Sequence, residues 1–571
     1  MGSGRVHFEV YVRKTPGSGW ALEMATEIRA AAVSAAQDLM KDGRVAGVKV
    51  TKETLDDETR EFQTVTIFKD GLAEGGPKRA PVREDVEPIC VTPQDLYTIH
   101  ARERIGRLLE SWLERNHATP FELLHRPDLV EQLETSGTDL QHAVQKIAIP
   151  EAQARGCSVH EVIRAFHALI ERAIERLLTD GRKGKLPDVD KEGFAAAAER
   201  ISHDPDRSYL LGAGVAASIA PARGWIEKVS RLLDLADGAP AKGAPRALAL
   251  ATLAQPLAEI LGSKPGLEDI LGKGLDLGGN LAAMTRLAAA DAVTMLMKAE
   301  PGVAKVMPPL SPAAQRLAGW LTDDAFTHVR AAIGARILRE LNGPRRLRPG
   351  DAVAEIDILR ALAMSLTAAA GKLLPLEDVQ TAFSNRSKML VTGEFVESYL
   401  GAGKQAKDEA EALVWLTENI IGAANKRQAG RWLKAVISSL RFEKEFRNSS
   451  DGVAGRLAAL ASLQRACARC GLVAEDFEPI QFKLGDLGGL IEADAKLTAQ
   501  LAKANTSAVH RLTLLLKLAC GESAPLGPAA DRAKAEAMKL VRHEDTRAEL
   551  SREPDQVEAV RDLIQQAGLA A

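Results

Sequence analysis

The sequence predicts a mainly α-helical protein that opens with a small piece of β-sheet. Strict apolar/polar alternation is confined to the first 71 residues, where it marks half-buried strands. From Thr92 onward apolar residues recur every three to four positions, between turns rich in Gly and Pro. The chain also packs mainly through Ala and Leu: 46% of residues are hydrophobic but only 4% are aromatic, a composition suited to closely spaced helices.

In "RVHFEVYVR", Val6, Phe8, Val10 and Val12 share one face and His7, Glu9 and Tyr11 the other. Between Trp20 and Met40 the period changes, and Met24, Ile28, Ala32, Ala35 and Leu39 predict one helical face. "GVKVTKETL" and "REFQTVTIFK" then read as two strands joined by a polar turn at Asp56–Thr59. The predicted order is β-α-β-β, which resembles half of a ferredoxin-like fold. That resemblance is one of topology and implies no activity.

Residues 72–91 carry Gly, Pro and charge without a period and read as a linker. Helix starts follow: "TPQD" at Thr92 and "TPFE" at Thr119 put Pro at the first helical position and an acid at the third. "SVHE" at Ser158 is a further capping box. Val162, Ile163, Phe166, Ile170, Ile174 and Leu177 then mark a long amphipathic helix that stops at "TDGRKGKLPD". The expected domains are an α/β module at 1–71, the linker at 72–91, a first helical lobe at 92–190 and an array of α-helical hairpins at 191–571. A degenerate helical repeat is one form of that array. Trp225, Trp320 and Trp415 lie 95 residues apart, and "LAEILGSKPGLEDILG", "ILRELNGPRRLRPGDA" and "VISSLRFEKEFRNSSD" share a helix-to-turn pattern.

Lys and Arg number 74 against 77 Asp and Glu, a formal charge of −3, which argues against a general polyanion binder. Five cysteines in 571 residues make no disulfide framework, so a reducing, cytoplasmic setting is expected. The longest apolar stretches are too short, or too broken by Gln255, Pro256 and Glu259, for membrane insertion.

Each candidate chemical motif has a plainer reading. His167, His203, Asp204 and Asp276 or Asp291 follow the order of ligands in the all-helical HD-type phosphohydrolases, which "SHDPD" resembles. Pro205, however, makes Asp204 a natural helix cap. His160 and Glu161 lack a second histidine at the zinc-protease spacing, where Arg164 stands, and Cys157 has no matching ligand pair. Cys467 and Cys470 end a helix before Gly471 and continue the face of Leu457, Leu460 and Leu463, so they read as core. The glycine clusters at Gly212, Gly272 and Gly401 lack the strands and hydroxyls of phosphate loops and read as turns between helices. No catalytic, metal or cofactor site is expected.

One basic surface stands out, on a helix expected at 425–447. Trp432, Leu433, Val436, Ile437 and Leu440 form its apolar face. Arg427, Arg431, Lys434 and Arg441 gather opposite, with Ser438 among them, and could meet an anionic partner such as an acidic protein or a nucleic-acid phosphate. The expected function is a non-enzymatic adaptor or regulatory scaffold that binds protein partners. The alternatives are a metal-dependent phosphohydrolase at His203 and Asp204, or anion and nucleic-acid binding at 425–447.

Overall fold

In a computed structural model the described residues are 6–15, 18, 20–43, 45–55, 62–71, 90–323, 325–552 and 554–569. The chain divides at 89/90 into two compact units, the first spanning residues 1–89 and the second 90–571.

The first unit is a four-stranded antiparallel sheet with one helix: β1 (Val6–Arg13), β2 (Ala21–Thr26), α1 (Arg29–Lys41), β3 (Gly47–Leu55) and β4 (Phe62–Gly71). The strand order is β2-β1-β3-β4. Val10 faces Val50 and Met24 on its neighbours, so the alternation of β1 propagates across the sheet. Phe8, Val10, Val12, Val48 and Val50 pack with Ala32 and Ala36 of α1. Strands β2 and β3 both run antiparallel to β1 and hence parallel to each other, with α1 as the crossover and β1 between them.

The expected β-α-β-β is therefore β-β-α-β-β. Residues 21–26 form a strand, and the helix begins only at Arg29, leaving Ile28 64% exposed. Met24 and Ile28, four apart, mimic a helix face. Pairing with β1 decides the conformation instead, because each strand residue gains a partner across the ladder. The turn at Asp56–Thr59 and positions 72–89 of the linker lie outside the described residues.

The second unit is helical, with the core spread along the chain from Phe121 to Ala567 and a smaller cluster around Leu109, Trp112, Leu129 and Leu177. Thr119 forms the expected capping box: its hydroxyl accepts from Glu122 N–H at 3.1 Å, and its own N–H donates to Glu122 Oε2 at 3.0 Å. Thr92 caps a short 3-10 turn in the same way. Ser158 precedes the helix Val159–Arg182 but makes no side-chain cap bond.

From Ala352 the body is a repeat of two long helices and one short one. The first helices are Ala352–Ala368, Ala406–Asn419, Val453–Arg469 and Ala508–Ala519. Their starts lie 54, 47 and 55 residues apart (406−352, 453−406, 508−453). The second helices are Leu376–Leu390, Ala423–Ile437, Ala474–Ala495 and Pro528–Arg542. The third are Gly393–Leu400, Leu440–Arg447, Leu497–Ala502 and Glu544–Leu550. In the first two units the third helix has the same local chemistry. Thr392 and Ser439 accept from the N–H of Phe395 and Phe442, and each phenylalanine meets an aromatic ring four residues on, Tyr399 and Phe446.

The 95-residue tryptophan spacing is not this period. Trp225 opens the helix Trp225–Asp237, whereas Trp320 and Trp415 lie late in Pro312–Thr322 and Ala406–Asn419.

Cationic and polar side chains tie neighbouring helices of the array together, several of them at helix ends, where backbone carbonyls lack intrahelical partners. Arg386, 1% exposed, donates to the carbonyls of Glu340 at 2.8 Å and Arg345 at 2.5 Å, closing the end of the helix Thr327–Leu341. Asn425 reaches the Ser384 carbonyl at 2.8 Å, and Trp432 Nε1 reaches Val391 at 3.1 Å. Lys426 donates to Thr417 and Cys470, both at 2.9 Å, and so touches the ends of two successive first helices. Gly471 adopts φ +84°, a left-handed conformation, and a Cβ there would lie 2.7 Å from Lys426 Nζ. Farther along, Gln464 both donates to the Leu526 carbonyl at 3.0 Å and accepts its N–H at 2.7 Å.

Candidate functional site

Tyr11 and Arg13 lie on the face of β1 opposite the apolar core, and the register sets Lys49 opposite Tyr11 and Lys69 opposite Lys49. This places a phenol, a guanidinium and two ammonium groups on one face, on three adjacent strands. Trp20, just before β2, joins them. The Arg13 guanidinium is 4.6 Å from its ring centroid, Lys49 Nζ 5.5 Å and Lys69 Nζ 5.9 Å. Lys49 also lies 4.7 Å from the Tyr11 ring. The indole reaches Gly47, where a Cβ would stand 3.5 Å from its edge. Lys69 is exposed, and the other four residues are half-buried.

Among the described residues neither Lys49 nor Lys69 meets a carboxylate; both are held by ring faces alone. Each such cation–π contact is worth about 0.5–1 kcal/mol at an exposed site and leaves the positive charge uncompensated. The acids of this face lie toward its other end. Glu9 accepts from the Tyr11 hydroxyl at 2.5 Å and meets His7 at 3.2 Å, while Glu53 stands opposite His7. Bonding to the Glu9 carboxylate, with burial, pushes the Tyr11 phenol up to about 12. The face is thus basic at one end and acidic at the other.

The basic face expected at 425–447 is divided by a helix break. One helix ends at Ile437 and the next begins at Leu440, with Ser439 as its cap. Leu440 is consequently 74% exposed and off the apolar face. Arg427 pairs with Asp476 at 3.3 Å, and Arg441 pairs with Glu409 at 2.9 Å and Glu445 at 2.8 Å. Arg431 meets Gln428 at 3.2 Å, and Lys434 is exposed. Much of this charge is spent within the array.

The metal candidates are not brought together. His203 and Asp204 sit in an exposed turn, where Asp204 accepts from the Asp206 N–H at 2.7 Å. The following helix begins only at Arg207, so Asp204 closes a local turn and is not a helix cap. Asp276 caps its own helix by accepting from Gly279 N–H at 2.7 Å and lies 3.3 Å from Arg348. Among the described residues no three His, Cys, Asp or Glu side chains converge as a metal site would require.

Cys467 and Cys470 are buried, and burial pushes the Cys467 thiol up to about 12. The cluster at Gly401 forms a turn, as expected; at Gly272 only Gly272 and Gly274 do, while Gly278 and Gly279 lie in the helix Leu277–Ala288. Gly212 and Gly214 instead lie inside the helix Arg207–Ile219, packed against His125 and Val189, because an apolar helix tolerates glycine where a neighbour needs the space.

A denser buried cluster surrounds the helix Pro120–His125. Glu122 accepts from Lys228 at 2.7 Å, Glu259 accepts from the Phe121 N–H at 2.7 Å, and Arg102 Nε lies 2.8 Å from Glu259 Oε1, off-line for a hydrogen bond. Burial drives His125 down to about 4, and its Nδ1 is 2.7 Å from the Phe121 carbonyl. The carboxylates of this cluster bind cations and backbone amides at helix starts, which fixes the helix in place.

Sequence alone hides the sheet patch, because the apolar spacing that follows Trp20 mimics a helix face. Its signal was the alternation that puts Tyr11 and Arg13 outward with Lys49 opposite. No described helix is long and apolar enough to cross a membrane. Comparison with protein-family models, curated proteins and solved structures finds no match to this chain.

Proposed function

We propose that this chain is a non-enzymatic adaptor whose helical repeat array serves as a scaffold and whose N-terminal sheet is a docking module for a protein partner. The observation that carries this reading is a pair of cations, Lys49 and Lys69, that meet no carboxylate among the described residues, on a sheet whose outer described strand is β4. An edge strand offers backbone groups to an incoming strand, and exposed charge selects what comes. Support for the scaffold half comes from the four repeated three-helix units, an architecture that builds extended surfaces from nearest-neighbour packing.

The test is removal of residues 1–91. The remaining body should melt cooperatively with its helical content intact. Affinity capture from the native cell with the full chain and with the truncated chain should differ by at least one stoichiometric protein. A truncated chain that folds and keeps every partner overturns the docking role. One that aggregates overturns the separation of the module from the scaffold.

A further inference from the structure

We propose that the N-terminal module binds an extended peptide with acidic residues at one end, paired along β4 with its carboxylates beside Lys69 and Lys49. This deepens the adaptor reading and rests on it for the module's place in the protein.

The backbone supplies the first half of the site. Strand β4 pairs with β3 on one side and is the outer strand of the sheet on the other. A strand added there continues the ladder, and its side chains alternate between the two faces at a period of two. Those on the patch face would neighbour Lys69 directly, about 5 Å away, with Lys49 one strand farther in.

Charge supplies the second half. Lys69, Lys49 and Arg13 crowd the Gly47–Gly71 end of the face, where Lys49 and Lys69 have ring faces but, among the described residues, no carboxylate. Carboxylates of the occupant would complete the pairs that these ammonium groups lack. Glu9 and Glu53 lie at the other end of the same face and would repel acids placed there. The occupant is therefore asymmetric: acidic over Lys69 and Lys49, neutral or basic toward Glu9 and Glu53.

That asymmetry favours a peptide over a nucleic acid. A polynucleotide carries a phosphate at every step, so its charge cannot be confined to one end of the face. Base stacking would need an open indole, but Trp20 is half-buried and has three cations within 6 Å of its ring.

The test uses the full chain and two fluorescent eight-residue probes of alternating Val and Thr, one with Glu at positions 1 and 3 and the other at 6 and 8. Both are used because the structure leaves the strand direction open. At least one should bind, and binding should weaken as salt rises. Combining Lys49→Glu with Lys69→Glu should weaken it at least tenfold. The neutral pair Lys49→Gln and Lys69→Gln should lose less, which separates charge from misfolding. Methylating alternate backbone nitrogens of the bound probe should also cost at least tenfold, because pairing needs those donors.

Equal binding by the charge-reversed protein overturns the proposal, as does equal binding of probes carrying Lys in place of Glu. Tighter binding of single-stranded oligothymidylate than of either probe overturns it in favour of a polyanion surface. If neither probe binds while removal of residues 1–91 still costs a partner, this inference falls and the adaptor reading stands.

Discussion

Arg386 in the helical array and Lys69 on the N-terminal sheet are both cations that meet no carboxylate among the described residues, yet the structure uses them in opposite ways. Arg386 is buried, and its charge is answered by the carbonyls of Glu340 and Arg345. Lys69 is exposed and, among the described residues, meets only the face of Trp20. In the array a basic side chain completes a neighbour's backbone and is structural. On the sheet the same chemistry is left open toward solvent, where it can select a partner. Basic residues in this chain are thus informative only once the groups they meet are known, and net charge alone distinguishes none of them.

The comparison would be broken most severely by Lys49→Pro. Strand β3 pairs with β1 on one side and β4 on the other, so the substitution removes a backbone donor from a central strand. The loss of a ladder bond in a central strand should unfold so small a module. Hydrogen exchange should show β1–β4 losing protection while the helices after Thr92 keep theirs. Unchanged protection in the sheet would contradict the central position of β3.

Arg386→Met keeps most of the volume but takes the guanidinium donor away from the carbonyls of Glu340 and Arg345. It should cost about 3–6 kcal/mol, from two charge-assisted bonds at roughly 1.5–3 kcal/mol each. The urea midpoint of the helical unit should fall accordingly. A shift below about 1 kcal/mol would mean that water replaces the guanidinium and that the array does not depend on such clamps.

Glu259 sharpens the comparison by showing a buried charge that is only partly answered. Burial outweighs the neighbouring Arg102 and pushes its carboxyl up to about 7. A carboxyl that binds its proton more tightly folded than unfolded contributes stability fully present below its unfolded value, about 4.3, and lost as pH rises through 7. Stability should therefore decline by up to about 4 kcal/mol across that interval. Glu259→Gln should flatten the decline in urea titrations at pH 4.5, 6 and 8. An unaltered slope would assign the decline to other groups.

The parts of this fold that sequence could reveal are those decided by a few adjacent residues. Alternation in "RVHFEVYVR", reciprocal capping at Thr119 and the left-handed stop at Gly471 are local, and each is found where expected. Strand β2 was hidden because "ALEMAT" is ambiguous until β1 pairs with it. The break at Ser438 and Ser439 was hidden behind an apolar spacing that continues to Leu440. The repeat is expected from the sequence, but its period is hidden for a related reason. Its units share helix lengths and end contacts more than residue identities, and the tryptophans that suggested a period occupy unlike positions in their helices. A better local signal was Thr or Ser followed at three and seven positions by aromatic rings, as at Thr392 and Ser439. The clamps joining distant residues, such as Arg386 to Glu340, have no local signature, because any exposed-looking arginine can turn inward.

Lys426 has a consequence for how the array bears load. Its ammonium grips the end of the first helix of its own unit at Thr417 and that of the next unit at Cys470. Tension applied along the chain must strip this shared rivet before either helix end can separate from the other. The second and third units should therefore yield together at one force, and Lys426→Met should split that single rupture into two smaller ones in single-molecule stretching.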